Sequence, residues 1–259
     1  MSHIINRDFM AEIKKGTIPG HSCVHKFGRN NAVPNGSWAF VNLLGFTGWP
    51  LSAATTVRIK AGGNAADTSG GAGAVLVTVQ GIDSALAETS EAITTAGASA
   101  STATTASFWR VHRAWVGDTA GADGAGTYGA SNTAAVTIEN SGGGTDLLQI
   151  AIEEGQSQFA GWTVPTGKTA YLMSLHLHAD TNKTANFRVM TRASMNDTTP
   201  PVAAVRLKLF FDGVEGSIVY KPRIPELKLS ALTDIWVEAY GDGATAHCSA
   251  DFELMLVDD

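Results

Sequence analysis

Tyr171-Leu172-Met173-Ser174-Leu175-His176-Leu177-His178-Ala179-Asp180 alternates apolar and polar residues. Tyr171, Met173, Leu175, Leu177 and Ala179 fall on one side, and Ser174, His176, His178 and Asp180 on the other. Successive side chains of a strand point to opposite faces, so the stretch reads as a strand with one buried and one wet face. The same period returns at Val205, Leu207, Leu209 and Phe211 against Arg206 and Lys208, and at Ala250, Phe252, Leu254 and Leu256 against Asp251 and Glu253. Shorter runs at 187–192, 217–220 and 235–240 add further strands, parted by turn residues at 196–201, Asp212-Gly213 and Asp242-Gly243. One-sided burial is the habit of antiparallel sheets. Residues 151–259 are therefore expected to form a jelly-roll-like β-sandwich.

Upstream, residues 51–150 are dominated by Gly, Ala, Ser and Thr, with strand-like runs at 56–60, 74–80, 107–116 and 134–139. Turn clusters such as Asp67-Thr68-Ser69-Gly70-Gly71 and Asp118-Thr119-Ala120-Gly121 separate them, at a spacing that suits a second sandwich or barrel. No lysine or arginine occurs from Ala61 through Trp109, which points to packing against neighbours in a homo-oligomer. Residues 1–50 read as an extended N-terminal docking arm. Asp8 is placed to cap a short helix bearing Phe9, Met10 and Ile13, with Gly16 at its stop. The candidate docking residues are Phe9, Phe27, Trp38, Phe40 and Trp49, because aromatic side chains bring large apolar area to an interface. The expected fold class is all-β, with two antiparallel sandwich regions behind an arm that carries a short helix.

The 259 residues carry 18 Lys plus Arg against 24 Asp plus Glu, a formal net charge of -6, with no basic run. Nucleic acid and anionic membranes need clustered positive charge, so neither is an expected partner. An apolar fraction of 44% excludes disorder throughout. No apolar stretch reaches the length of a membrane span and no secretion signal opens the chain, so a soluble protein made inside the cell is expected. Cys23 and Cys248 give no framework of bridges; free thiols are expected, with one long-range bridge as the alternative.

Motifs for catalysis fail on context. Gly161-Trp162-Thr163-Val164-Pro165-Thr166-Gly167-Lys168-Thr169 has five residues between its glycines where a phosphate-binding loop has four, and it leads into a strand. Gly124-Ala125-Gly126-Thr127-Tyr128-Gly129 matches a dinucleotide fingerprint but has no helix behind it. Glu88/Glu91 and Glu153/Glu154 read as solvated acids rather than a glycosidase pair. His21, Cys23 and His25 share one side of an extended segment, as do His176 and His178 with Asp180, so either row could offer zinc ligands. Outward polar residues are the expectation at both rows, with no metal, no cofactor and no enzymatic activity.

A set of short stretches spans most of the chain. They are Ile18-Pro19-Gly20-His21-Ser22 with Lys26-Phe27-Gly28-Arg29-Asn30, Asp67-Thr68 with Gly71-Ala72-Gly73-Ala74, and Val79-Gln80-Gly81-Ile82-Asp83. Glu88 with Ser90-Glu91-Ala92-Ile93 and Gly97, Phe108-Trp109-Arg110-Val111-His112-Arg113, and Val164-Pro165-Thr166-Gly167-Lys168-Thr169-Ala170-Tyr171 complete it. Together they resemble virion structural proteins of tailed bacteriophages, marine ones especially. The resemblance implies a non-enzymatic, β-rich building block of the particle, a capsid decoration or cement protein or another head-associated part. Its implied partners are other virion proteins, namely major capsid, portal or neck, and tail subunits, and its implied location is the virion, assembled in the host cytoplasm. No catalytic or binding residue carries over. The alternative is a tail or neck receptor-binding protein that holds a glycan on Trp109, Trp115, Trp162 or Trp236.

Overall fold

The structure, a computed structural model, describes residues 8–117, 131–222 and 227–259. The turn at 118–121 and the glycine motif at 124–129 lie outside the described residues. One helix, α1 (Phe9–Lys14), precedes β1 (His21–Val33), β2 (Ala39–Phe40), β3 (Thr55–Ile59), β4 (Leu76–Asp83) and β5 (Glu88–Thr94). Then come β6 (Ser107–Val116), β7 (Val136–Asn140), β8 (Asp146–Ile150), β9 (Gly161–Thr163), β10 (Lys168–Ala179) and β11 (Thr184–Arg192). The chain closes with β12 (Arg206–Val214), β13 (Gly216–Tyr220), β14 (Lys228–Leu229), β15 (Asp234–Asp242) and β16 (Ala246–Asp258). Among the described residues the protein is all-β apart from α1.

Two antiparallel sheets, ordered β1-β16-β10-β13 and β12-β11-β15-β2, enclose one core. Apart from the β11–β12 connection, each step along these eight strands crosses from one sheet to the other, which makes a jelly roll. Its core is built by the alternation read from the sequence: Leu175, Leu177 and Ala179 from β10, and Ala250, Phe252, Leu254 and Leu256 from β16, meet Phe187, Val189 and Val237. Between β2 and β10 the chain leaves to form a six-stranded sheet, β5-β4-β6-β3-β7-β8. β3 pairs with β6 through Thr55 and Thr56 and then with β7 through Val57 to Ile59, so this sheet folds over at β3 around its own core. That second core takes Phe40, Met190 and Trp236 from the outer face of the jelly roll, which seats the insertion there.

Most of the segment expected as a docking arm is built into the jelly roll. β1 pairs along its length with β16, and β2 with β15. The alternation of apolar residues is missing from β1 because Lys26, Gly28 and Asn30 occupy its buried positions. Gly28 is required by close approach: a Cβ there would stand 2.1 Å from the Val41 carbonyl and 2.2 Å from the Ala160 nitrogen. α1 forms as its residues predict, with Asp8 accepting from Met10 N at 2.9 Å and Gly16 ending the helix at φ +73. Ile13 is buried, while Phe9 stays exposed.

Two strand readings need correction. β10 shifts register between Leu172 and Ser174, so its first half is out of phase with its second. Ala170 and Leu172 face the core, and Tyr171 and Met173 do not, because the extra residue of a bulge turns every earlier side chain over. β12 is not a buried strand. It is the edge of its sheet and bulges where Met190 pairs Leu207 while Val189 pairs Leu209. Leu209 and Phe211 touch the core, whereas Leu207 and Phe210 face outward, 54% and 50% exposed.

Candidate binding cleft on the outer face of the jelly roll

The insertion covers only part of the sheet on which it sits, and a cleft of about 580 Å³ opens beside it. Its floor is the outward row of β11 and β15, with Arg188, Met190, Trp236 and Glu238. Thr47 to Ser52 and Arg110 form one wall, and the β11–β12 loop, from Met195 to Val205, forms the other. Trp49 packs on Phe159 and Trp236 at 5.2 and 6.1 Å, and the Arg110 guanidinium lies 4.9 Å from its ring.

The carboxylates around this cleft are already occupied. Glu238 accepts from Arg188 Nε at 2.5 Å with one oxygen and from Trp236 Nε1 at 2.7 Å with the other. Asp234, wholly buried behind the wall, accepts from Arg110 Nε at 3.2 Å and Nη2 at 2.9 Å, and from the Thr163 hydroxyl at 2.6 Å. Burial raises the pKa of Asp234, against the pull of Arg110 and the Thr163 hydroxyl. The donors are not all used. Arg192 gives Nη2 to the Asp197 carbonyl at 2.6 Å, and its Nε is buried with no acceptor. Trp49 Nε1 is likewise buried with no acceptor.

A second, more polar cleft of about 520 Å³ lies where β1 meets the insertion, lined by Cys23, His25, Phe27, Glu88, Arg113 and Trp162 among others. Behind it Lys26 is buried and donates to the His112 carbonyl at 2.5 Å. Burial, and then Arg113, pushes the Lys26 pKa well down. The His112 ring is fully buried against Trp162, 5.7 Å away, and neither nitrogen has a partner. Burial first, then Lys26, Arg110 and Arg113, hold it well below the usual histidine range. Glu88 keeps contact with solvent, yet desolvation of its carboxyl raises its pKa against the pull of Arg113 and the Trp162 indole.

The structure scatters the five aromatics expected at a docking surface. Phe40 is in the second core, stacked on Trp236 at 5.4 Å, and so is closed to any partner. Trp38 lies half-buried outside the sheet beneath the Arg188 guanidinium, 4.2 Å from its ring, and Trp49 walls the first cleft. Phe27 borders the second cleft, and Phe9 stands edge-on to His21 at 5.8 Å. Trp162 and Trp236 are buried and Trp109 and Trp115 half-buried, so the four form no common platform.

The histidine rows meet in a way that reading each strand separately missed. β16 lies between β1 and β10, and Asp251 on it is 3.6 Å from His25 Nε2 and 3.5 Å from His176 Nδ1. Among the described residues no group of three or more His, Cys, Asp or Glu is arranged to hold a metal ion. Cys23 and Cys248 are free thiols, and burial pushes Cys248 up to about 12. Glu91 binds the Thr105 and Ala106 amides, and Glu154 binds Arg29, so neither acid faces a partner across a cleft. Lys168 and Thr169 open β10 and bond to Asp258 and Asp259.

No protein-family model matches the sequence, and no curated protein does. Among solved structures, an Arthrobacter globiformis T6 isomalto-dextranase complexed with panose aligns at a TM-score of 0.21 and 13% identity. That alignment covers 93% of this chain, which spans 35% of the enzyme. Infectious bursal disease virus, Gt strain, aligns at a TM-score of 0.13 and 8% identity, over 98% of this chain and 86% of that one. Similarity this low carries neither fold nor function across.

Proposed function

We propose that the chain is a non-enzymatic structural component of a tailed-phage virion, a capsid decoration or cement protein or another head-associated part, and that it assembles as a symmetric oligomer. The observation that carries the assembly is the open edge at β12, whose Leu207 and Phe210, 54% and 50% exposed, both stand on the outer face of its sheet. Large apolar side chains grouped at a sheet edge mark an interaction surface. Edge strands also leave backbone N–H and C=O groups unpaired, which invites another chain. Lys208, at the bulge, limits indiscriminate pairing at this edge and favours one defined contact.

The virion part of the reading rests on the sequence stretches that resemble phage particle proteins. Jelly rolls serve both viral capsid and lectin domains, so the architecture suits this role without selecting it. Light scattering on the purified chain at several concentrations, with and without chelator, tests the assembly. The expected result is a multimer indifferent to chelator that Leu207→Asp with Phe210→Asp converts to folded monomer. A chain that stays monomeric at every concentration, and is absent from purified particles by mass spectrometry, overturns the proposal.

A further inference from the structure

We propose that the cleft between the insertion and the outer face of the jelly roll binds an extended, acidic peptide segment of a neighbouring virion protein, its carboxylate on Arg192. This rests on the virion reading for the identity of the neighbour, but the chemistry is set by the cleft. Both oxygens of Glu238 are taken by Arg188 and Trp236, so that residue has little left to offer a cationic ligand. Arg110 is bonded to Asp234 and Arg188 to Glu238, whereas Arg192 bonds no carboxylate among the described residues and feels Asp234 only at longer range. Asp197 answers Arg192 with its carbonyl, and its own carboxylate accepts from Thr199 N at 3.3 Å. Arg192 Nε and Trp49 Nε1 are themselves closed to solvent, so a ligand carboxylate meets Arg192 at its terminal nitrogens.

An extended peptide fits better than a compact anion because Val202 and Val205, 42% and 51% exposed, line the cleft with Arg192 and offer apolar contact to the residues that flank the carboxylate.

Calorimetric titration of the full chain with the blocked peptide acetyl-Val-Phe-Asp-Val-Phe-amide, and with its Asn counterpart, tests this. The Asp peptide is expected to bind at least tenfold more tightly than the Asn peptide. Arg192→Gln is expected to abolish that difference, and Arg113→Gln, in the other cleft, to leave it unchanged. No binding of the Asp peptide at millimolar concentration, or equal binding of both peptides, overturns the proposal. Binding of digalacturonate through Arg192 without binding of the peptide also overturns it, in favour of an acidic saccharide. Light scattering on the same samples separates the two readings: a multimer that ignores the peptide sinks only the cleft, and a peptide-binding monomer sinks only the assembly.

Discussion

The jelly roll and the domain inserted into it are both antiparallel β-structures, yet they are stabilised by different means. The jelly roll fills its core almost wholly with aliphatic and aromatic side chains contributed by its two sheets. The insertion packs large apolar side chains too, but completes its hydrogen bonding with buried small polar ones. Residues 101–104 stand in for a strand beside β3: Ser101 and Thr104 donate their amides to the Ile59 and Val57 carbonyls and accept the amides of the same residues on their hydroxyls. Buried Asp67 gathers the amides of Ala74, Thr133 and Ala134, and buried Asn132 binds the Ala134 and Ala151 carbonyls and the Gly155 amide. Apolar packing spreads its contribution over many contacts, whereas a polar bond buried without water makes single residues decisive.

The largest expected effect is at the join between the two. Arg110 on β6 reaches Asp234 on β15 in a fully buried pair and also donates to the Leu51 and Met195 carbonyls. Removing one member of a buried pair leaves an uncompensated charge and costs about 3–5 kcal/mol. Arg110→Met should therefore lower the urea midpoint sharply and split unfolding into two transitions, with the insertion melting first by hydrogen exchange. A single transition with an unchanged midpoint would show that the two regions do not depend on this pair. Next comes Asp67→Ala, which strands the buried Ala74 amide and the half-buried amides of Thr133 and Ala134, at roughly 1–3 kcal/mol for a buried group left unsatisfied. Its expected loss of about 3 kcal/mol should fall on exchange rates in residues 55–150 and spare those in β10, β11 and β16.

The same contrast explains what the sequence disclosed. Alternation at 250–256 places β16 correctly because a core lies on one side and water on the other. It fails at β1, whose inward positions are held by Lys26, Gly28 and Asn30, which meet backbone at His112, at Val41 and Ala160, and at Phe40, so the first strand of the jelly roll reads as a polar arm. The bulge in β10 is invisible to a period of two, since the count continues through Met173 while the faces exchange. Phe40 and Trp49 were recognisable as apolar anchors, but nothing in their spacing says that the insertion returns to bury them. Arg192 carries no sequence signal: its role follows only from which acids its neighbours have already bound.

A pH titration sharpens the comparison further. His112 and Lys26 have folded-state pKa values held below their ordinary ones, so the unfolded chain binds more protons than the folded one over the intervening range. Stability should then fall as pH drops through the ordinary histidine value near 6.5, by at most about 1.4 kcal/mol per pH unit for His112. The groups facing His112 are Lys26 from β1 and Arg110 and Arg113 from its own strand, all basic, so protonation finds no local relief. Glu88 and Asp234 act with the opposite sign: with raised pKa values, they favour the folded chain as pH falls through those values. His112→Gln should flatten the profile between pH 7 and 5.5. A wild-type midpoint that is level across that span would refute the assignment.

The smallest effect is expected at α1, which belongs to neither core. Its first turn is closed by Asp8, and its last turn is tied to the sheet by Lys14, whose Nζ lies 2.6 Å from Glu253. Both partners of that pair keep solvent contact, so the charge contributes well under about 1 kcal/mol and is screened by salt. Loss of an N-cap costs about 1 kcal/mol of helix stability. Asp8→Ala should therefore speed amide exchange in α1 while moving the global urea midpoint little, because Ile13 still packs and β1 keeps its pairing with β16. Should Asp8→Ala lower the midpoint as far as Asp67→Ala does, the helix would have to be an integral part of the jelly roll rather than an addition to its outer face.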